Sequence, residues 1–188
     1  MKVQRVETSG ELMTNTYIIN EDTIIDPGEG IGEYIPKDKE VVVLLTHAHY
    51  DHILGLSELN VKQLYVHPLD VEILKDPIKN FSYYVKKPFS WNNGWEDITE
   101  TFEVIHTPGH TPGSCVIHLE NYLFTGDTLF YDSIGRVDLE GGSFQDMKKS
   151  LKILKDYLLT LPKDTIIAPG HMALGKISDV MEFNSYLK

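Results

Sequence analysis

Short apolar runs separated by polar turns recur along this chain and predict β-strands. Residues 41–45 are all valine or leucine, a continuous run that is typical of a buried strand. Residues 17–19 and 23–25 flank the polar triplet 20–22, which indicates a β-hairpin. Further apolar runs predict strands at residues 64–66, 102–105, 115–117, 123–124 and 165–168. The chain is therefore expected to be rich in β-structure.

Helical spacing of apolar residues follows several of these strands. It predicts helices over residues 51–59 and 68–75. Ser143 is placed to cap a longer helix. The apolar face of that helix would consist of Met147, Leu151, Leu154, Leu158 and Leu161. Because strands alternate with helices, we expect an α/β fold, and the length suits one domain spanning residues 1–188.

Residues 76–96 have no periodicity and are rich in proline, asparagine, glycine and aromatic side chains. A loop of this length is uncommon in a compact domain and is usually functional or mobile. It is either a substrate lid or a surface loop anchored by its aromatic residues.

Composition narrows the classes of partner. The 188 residues are 41% hydrophobic and 24% charged, with a net charge of −11, the wrong sign for a nucleic-acid-binding chain. No apolar run has the length needed to span a bilayer, and we find no signal peptide or other targeting signal. The single cysteine, Cys115, cannot form an internal disulfide and fits a reducing compartment, so we expect a cytoplasmic location. The oligomeric state is left open.

The strongest chemical signal follows the strand at residues 41–45. His47, His49, Asp51 and His52 fall within six residues there, on a loop where alternate side chains can converge. Imidazole and carboxylate ligands favour zinc, iron or manganese over calcium or magnesium. A solvated polar turn is the alternative, and a single histidine would favour it. This cluster instead favours a metal site.

Three more candidate ligands lie at or just after predicted strand ends. His110 is held between two Pro-Gly pairs, Asp127 follows a glycine, and His171 follows Pro169 and Gly170. With the first four they make seven, which is too many for one tetrahedral metal but suits two metals sharing a carboxylate. The remaining histidines, His67, His106 and His118, are expected to be surface or packing residues. A role for His106 in orienting a ligand is left open.

Several motifs together resemble the metallo-β-lactamase superfamily over about residues 12–175. They are the segments 46–52, 106–114, 126–130 and 169–171. Residues 126–130 and 133–139 most resemble the small, single-domain glyoxalase II-like branch, the hydroxyacylglutathione hydrolase-like enzymes. The resemblance implies a four-layer αβ/βα sandwich. It also implies that His47, His49 and His110 hold one metal, that Asp51, His52 and His171 hold the second, and that Asp127 bridges them.

The implied activity is hydrolysis of a thioester, or of a related ester, by a metal-bridging hydroxide. Two divalent ions less the charges of Asp51 and Asp127 leave an excess of positive charge that acidifies water. Asp51 would orient the hydroxide. We expect two divalent ions, with zinc preferred and iron or manganese as alternatives. The expected substrate is a small anionic thioester or ester.

The chain departs from glyoxalase II in the region that grips glutathione. It ends shortly after His171, so the C-terminal helical glutathione-binding domain is expected to be absent. The lysine that contacts glutathione aligns with Arg136, which we expect to contact a substrate carboxylate. Two tyrosines of the family align with Asp138 and Ala173. The alternative for Arg136 is a structural ion pair with Asp132 or Asp138.

Other activities of the same fold stay open. Persulfide dioxygenases use a single iron on the equivalents of His47, His110 and Asp127. A lactonase or another ester hydrolase is also compatible, and a purely structural metal site is the non-enzymatic alternative. β-Lactam hydrolysis of the commonest type is disfavoured because it uses a cysteine ligand, and Cys115 lies inside a predicted strand. Flavodiiron reductases carry glutamate at the position of His49 and are disfavoured too.

Overall fold

The computed structural model describes residues 1–188 and contains eleven strands and five α-helices. The strands are β1 (Val3–Thr8), β2 (Thr14–Ile19), β3 (Thr23–Ile25), β4 (Glu40–Leu44), β5 (Asn60–Val66), β6 (Glu96–Asp97), β7 (Val104–His106), β8 (Cys115–Leu119), β9 (Tyr122–Gly126), β10 (Ile166–Pro169) and β11 (Gly175–Lys176). The helices are α1 (Tyr50–Ile53), α2 (Val71–Lys75), α3 (Ile98–Thr101), α4 (Phe144–Leu158) and α5 (Ile177–Phe183). None of the helices has both the length and the apolar character needed to cross a bilayer.

The strands form two mixed sheets. One has six strands in the order β1-β2-β3-β4-β5-β6, and the other has five in the order β11-β10-β9-β8-β7. The predicted hairpin is confirmed, because β2 and β3 are antiparallel with Tyr17 opposite Ile25. Strands β3 to β6 are parallel, as are β9 and β10. Parallel neighbours need crossover connections, which the helical segments supply.

Alternation of side chains along the strands produces three separate apolar layers. On β2, Tyr17 and Ile19 face the core between the sheets, whereas Ile18 faces the opposite side. The core between the sheets contains Tyr17, Ile19, Ile25, Leu44, Ile98, Cys115, Ile117, Phe124 and Ala168. A second layer packs helical segments on the six-stranded sheet, and a third packs α4 and α5 on the five-stranded sheet. This arrangement confirms the predicted αβ/βα sandwich.

Helix α4 shows how the sequence pattern becomes packing. The Ser143 hydroxyl accepts a hydrogen bond from the Asp146 amide and caps the helix as predicted. The buried face contains Met147, Leu151, Leu154 and Leu158. Burial of each such side chain contributes about 1.5–3 kcal/mol. The helix ends at Leu158, so Leu161 lies beyond the helix in which it was predicted.

Two of the elements that differ from the sequence prediction have a clear physical reason. Strand β1 was not predicted, because only Val6 and Thr8 of its six residues are buried and no apolar alternation marks it. The helix predicted over residues 51–59 is α1 followed by a 3-10 helix, Leu54–Glu58. Gly55 lies against the backbone there, and an added Cβ would stand 2.3 Å from the Gly28 carbonyl oxygen. Close approach to residues 27–28 thus determines the shape of this segment.

Candidate metal centre

The loop after β4 is fixed by buried hydrogen bonds at three points. The Thr46 amide and hydroxyl donate to the two oxygens of Asp26, at 2.8 and 2.6 Å. The Ala48 amide donates to Asp70 Oδ2 at 3.0 Å, and the Tyr50 amide donates to the Asn80 carbonyl at 2.9 Å. The histidines between these points are therefore held on a rigid backbone.

The first donor cluster consists of His47, His49 and His110, all buried, with one donor atom of each lying within 4.8 Å of the others. Nδ1 of His49 is 2.8 Å from Nε2 of His110. Burial lowers the pKa of His47 and of His49 well below the usual value, and the neighbouring histidines add to this effect. Both rings are therefore neutral at pH 7, which is the form that binds metal.

The hydrogen bonds around this cluster assign the tautomers of two rings. His110 Nδ1 donates to the Arg136 carbonyl oxygen at 2.8 Å, so in the neutral ring the lone pair is on Nε2. His47 Nδ1 is 3.1 Å from the Thr46 hydroxyl, whose hydrogen already goes to Asp26. His47 Nδ1 must then be the donor, so His47 Nε2 also carries a lone pair.

The second donor cluster consists of Asp51, His52 and His171. Asp51 Oδ2 lies 3.3 Å from His52 Nε2 and 3.2 Å from His171 Nε2, and it accepts a hydrogen bond from the Thr14 hydroxyl at 3.0 Å. His171 Nδ1 is 3.0 Å from the Leu12 carbonyl oxygen, which directs Nε2 towards the carboxylates.

The ionisation of the second cluster is the reverse of the first. Burial alone would lower the pKa of His52, but Asp51 and Asp127 outweigh it and raise that pKa well above its usual value. Burial would likewise lower the pKa of His171, which the same two carboxylates raise. Burial would raise the pKa of Asp51, and His52 and His171 hold it well below its usual value. The second cluster therefore pairs positive imidazole with carboxylate.

Asp127 lies between the two clusters. Its Oδ1 is 3.5 Å from His52 Nε2, and its Oδ2 is 3.5 Å from His110 Nε2 and 3.6 Å from His171 Nε2. The preceding residue, Gly126, has φ of 48° and lies so close to Thr46 that an added Cβ would stand 2.2 Å from the hydroxyl oxygen. Gly126 therefore lets the end of β9 carry Asp127 up to the histidine loop.

Five buried nitrogen and oxygen atoms in this region have no hydrogen-bond partner. They are His47 Nε2, His49 Nε2, Nδ1 and Nε2 of His52, and Asp127 Oδ1. Unpaired buried polar atoms are rare and costly, so their concentration at one point requires an explanation. Divalent cations coordinated by imidazole and carboxylate satisfy them, and the two clusters are consistent with a dinuclear metal site.

The sequence prediction missed Asp26, which supports both clusters. Nδ1 of His52 lies 3.1 Å from Asp26 Oδ2 in an off-axis contact, and the Thr46 hydroxyl links the same carboxylate to His47. Asp26, His47 and His52 also form a third possible donor group. Because Asp26 already accepts two hydrogen bonds from Thr46, we assign it to orienting the histidines. The available sequence signal was the Asp26-Pro27-Gly28 turn directly after β3, which contains no metal-binding motif.

Asp70 was missed as well, since it lies at the start of a predicted helix and carries no motif. It is fully buried and accepts hydrogen bonds from Ala48, the Thr111 hydroxyl (2.8 Å) and the Gly113 amide (2.6 Å). Burial raises the pKa of Asp70 to about 6, against the effect of these donors. Asp70 thereby joins the loop that carries His47 and His49 to the loop that carries His110.

Arg136 forms an ion pair with Asp138. This pair was the structural alternative to contact with a substrate carboxylate. Nε and Nη2 of Arg136 donate to the two oxygens of Asp138 at 2.8 and 2.9 Å, and 61% of the Arg136 side chain is exposed. Arg136 is also among the residues that line the cavity at the metal centre. Contact with a substrate carboxylate therefore stays a prediction for Arg136.

The histidines outside the seven candidates lie apart from both clusters. His67 and His106 stack with ring centroids 4.1 Å apart, and His118 contacts the Tyr157 hydroxyl at 2.6 Å. His106 Nε2 donates to the Pro112 carbonyl at 2.8 Å, so this residue does support the loop that carries His110.

A cavity of about 180 Å³ opens beside the donor clusters. Asp51, Asp127 and several of the histidines form its floor, and Leu12, Phe81 and Leu139 contribute apolar walls. Phe81 belongs to the predicted loop at residues 76–96, which therefore reaches the site. A wider surface groove near Glu33 and Glu58 contains no histidine or cysteine and lacks comparable chemistry.

Known proteins with similar sequences include named metallo-hydrolases. The "Probable metallo-hydrolase YqgX" of Bacillus subtilis is 35% identical over 205 residues, covering 96% of this chain and 93% of that protein. The "Hydroxyacylglutathione hydrolase GloC" of Haemophilus influenzae is 30% identical over 187 residues, covering 87% and 86%.

Solved structures agree with the fold, and one of them holds two iron ions. The BLEG-1 B3 metallo-β-lactamase is 30% identical with a TM-score of 0.82, and both chains are covered completely. TTHA1623, in a di-iron-bound form, is 28% identical with a TM-score of 0.80, covering 98% of this chain and 100% of that one. The model of the metallo-β-lactamase superfamily matches residues 9–171, a span that includes all seven candidate ligands. On this match, and on the relatives just described, the chain belongs to the metallo-β-lactamase superfamily.

Proposed function

We propose that this chain, a metal-dependent hydrolase of the superfamily, cleaves a small thioester or a related ester. The observation that carries the proposal is the position of Asp127 between the two donor clusters, at the floor of a small cavity. The likeness to GloC, whose name gives a hydroxyacylglutathione substrate, supports a thioester. We propose zinc as the resident ion, with iron or manganese as alternatives. The di-iron form of TTHA1623 supports iron.

The seven candidate ligands would divide into three sets. His47, His49 and His110 would hold one ion, Asp51, His52 and His171 the other, and Asp127 both. Bound divalent ions supply a Lewis acid for the carbonyl and make a water molecule more acidic. Asp51, whose depressed pKa keeps it ionised near neutral pH, would orient the attacking water as a hydrogen-bond acceptor. A thiolate leaves with little help from an acid, which suits a site without an obvious general acid.

Arg136 would bind a carboxylate on the thiol half of the substrate. Its ion pair with Asp138 is exposed, and exposed pairs are weak and easily exchanged. A substrate carboxylate could therefore replace Asp138 on the guanidinium. We propose a small molecule rather than nucleic acid or a membrane as the partner because the chain carries a net charge of −11. We also propose a cytoplasmic location, because the single cysteine, Cys115, cannot form an internal disulfide and fits a reducing compartment.

The test combines metal analysis with a substrate panel. Protein purified without added metal is analysed for zinc, iron and manganese. It is then assayed with lactoylglutathione, short acyl thioesters, a lactone, a chromogenic β-lactam and a persulfide with oxygen uptake. We expect two ions per chain and thioester hydrolysis that Asp51→Asn abolishes. The matched control Asp132→Asn changes an exposed aspartate outside the cavity and should keep wild-type turnover.

Each alternative has its own outcome in this panel. One iron per chain with oxygen uptake would establish the persulfide dioxygenase reaction instead. Preferred turnover of the lactone or of the β-lactam would move the activity to another ester or to an amide. Full metal loading without turnover of any substrate would contradict the hydrolase proposal.

A further inference from the structure

One turn of the long loop holds an aromatic ring at the cavity in an unusual backbone conformation. Phe81 has φ of 69°, in the left-handed region that side chains with a Cβ disfavour. Residues kept in such conformations by their surroundings cluster at functional sites. Phe81 is only partly buried, so its ring is not there to fill the core.

The neighbouring residues explain how the conformation is maintained. Asn80 is fully buried, its Oδ1 accepts from the Ser82 amide at 2.9 Å, and its Nδ2 donates to the Phe89 carbonyl at 3.0 Å. The Ser82 hydroxyl accepts from the Phe89 amide at 2.9 Å. These bonds close the turn on both sides of Phe81 and fix its backbone.

The same turn is attached to the metal-ligand loop. The Asn80 carbonyl accepts from the amide of Tyr50, which directly precedes Asp51. The Phe81 ring centroid lies 5.1 Å from that of His49 at an interplanar angle of 58°. The ring is therefore positioned next to a candidate ligand, at the wall of the cavity.

The rest of the cavity wall is suited to an apolar group. Leu12 and Leu139 face it together with Phe81, and Arg136 is the only lysine or arginine in the lining. Arg136 is engaged by Asp138 at the rim. An apolar cavity of about 150 Å³ accommodates benzene, so a cavity of about 180 Å³ has room for a compact group of about six carbons.

We propose that Phe81, Leu12 and Leu139 form an apolar subsite that binds a short aliphatic or aromatic acyl group. The assignment to the acyl half rests on the proposed function. The scissile carbonyl must reach the donor clusters, so the group bonded directly to it lies against Phe81, while Arg136 is left for the thiol half. Phe81 is then the residue that determines acyl specificity.

The experiment measures binding of the carboxylate products to the metal-loaded protein by calorimetry. The probes are acetate, butanoate, hexanoate and benzoate. In the wild type, affinity should rise roughly fourfold for each added methylene, as expected for burial of apolar surface. In Phe81→Ala the affinity should no longer rise with the length of the acid. Acetate binding and metal content should stay unchanged. Phe81→Leu should retain the slope for the aliphatic acids.

Two further variants separate the subsite from general effects on folding. Tyr83→Ala removes an exposed aromatic side chain of the same loop that does not line the cavity, and it should keep the wild-type series. Leu139→Ala changes another apolar residue of the cavity lining, on a different loop. It should weaken hexanoate more than acetate, so the inference stays testable if Phe81→Ala does not fold.

A flat series in the wild type would overturn the subsite. So would a Phe81→Ala variant that loses metal and weakens every probe equally, because the ring would then only orient His49. A graded series without hydrolysis of any acyl thioester would uphold the apolar subsite and reject the proposed function. Thioester hydrolysis with no dependence of kcat/KM on acyl length would uphold the proposed function and reject the apolar subsite.

Discussion

The two donor clusters use the same kind of side chain in different protonation states, neutral in the first and positive in the second. His49 ends the loop after β4 and His52 lies three residues later in α1, yet the pKa of the first is lowered and that of the second is raised. The first cluster contains only imidazoles, so burial dominates their pKa, whereas in the second Asp51 Oδ2 lies 3.3 and 3.2 Å from Nε2 of His52 and His171. The motif alone therefore does not determine the protonation state of its histidines. The carboxylates that the fold brings to each ring decide it.

The supports of the two clusters differ as well. Asp26 contacts His52 directly and His47 through Thr46, so it serves both clusters. Asp70 binds only the loops that carry the first cluster. Substitutions at these positions should therefore affect the two clusters to different extents.

Removal of Asp127 should have the largest effect, because this side chain lies between both clusters. Asp127→Ala should lower kcat/KM by roughly 10³-fold or more, the value of several kcal/mol in the transition state, and more than any single histidine substitution. It should also lower the metal content below two per chain. Asp132→Ala is the control on the surface. A variant with both metals and wild-type turnover would show that Asp127 does not bridge.

Substitution of the two supporting carboxylates should separate the clusters. Asp26→Asn should weaken metal binding at both, by about 10- to 100-fold, the usual effect of losing a residue that orients a ligand. Asp70→Asn should weaken mainly the first cluster and destabilise the fold by about 1–3 kcal/mol, since buried donors lose their acceptor. Chelator competition measures the affinities, and urea denaturation measures the stability. An equal loss of metal affinity at both clusters in Asp70→Asn would contradict the inference that Asp70 supports only the first cluster.

Proton release on metal binding should distinguish the clusters by pH. His52 and His171 have raised pKa values, so a metal must displace their protons, and the cost of this displacement falls as pH rises. Affinity at the second cluster should therefore increase about tenfold per pH unit for each proton released near neutrality. His47 and His49 are already neutral, so neither of them should contribute such a slope at the first cluster. Calorimetry in buffers with different heats of ionisation measures the number of protons released when metal binds. Release of no protons would contradict the raised pKa values of His52 and His171.

The same raised pKa values predict how the metal-free protein responds to pH. Protonated His52 and His171 stabilise the fold fully below their ordinary pKa, and this contribution is lost as pH rises through the raised folded-state values. Urea denaturation of the metal-free protein across the neutral range should show this decline.

The smallest effect is expected at Arg136. Arg136→Ala retains the carbonyl that accepts from His110, so neither cluster should lose metal. If the guanidinium binds a substrate carboxylate, KM should rise up to about tenfold with kcat largely intact. Asp138→Asn should lower KM, because it frees the guanidinium from its ion pair. A change in thermal stability without any change in KM would assign Arg136 a structural role.

Much of the candidate site could be predicted from the sequence because its ligands come in compact motifs at strand ends. His47, His49, Asp51 and His52 share one loop, and His110 and His171 follow proline and glycine pairs that hold a turn. Asp26 and Asp70 could not be found in this way. Each acts through a single carboxylate on residues 20 or more positions away, and such contacts leave no local pattern.

The fold shows the same division between local and distant effects. Hairpin β2–β3 and the capped helix α4 were predicted from patterns within a few residues. Strand β1 was not, because it is stabilised by its ladder with β2 rather than by its own apolar alternation. Likewise, the 3-10 helix Leu54–Glu58 reflects the close approach of Gly55 to residues 27–28.

The sequence by itself determined the α/β pattern, the seven candidate ligands and their family resemblance, because spacing and side-chain chemistry are local properties. Only the tertiary structure decided which histidines are neutral, that Arg136 is paired with Asp138, and that Phe81 faces the cavity. Protonation, ion pairing and cavity shape depend on the distances between residues far apart in the chain, and those distances exist only after the two sheets have packed together.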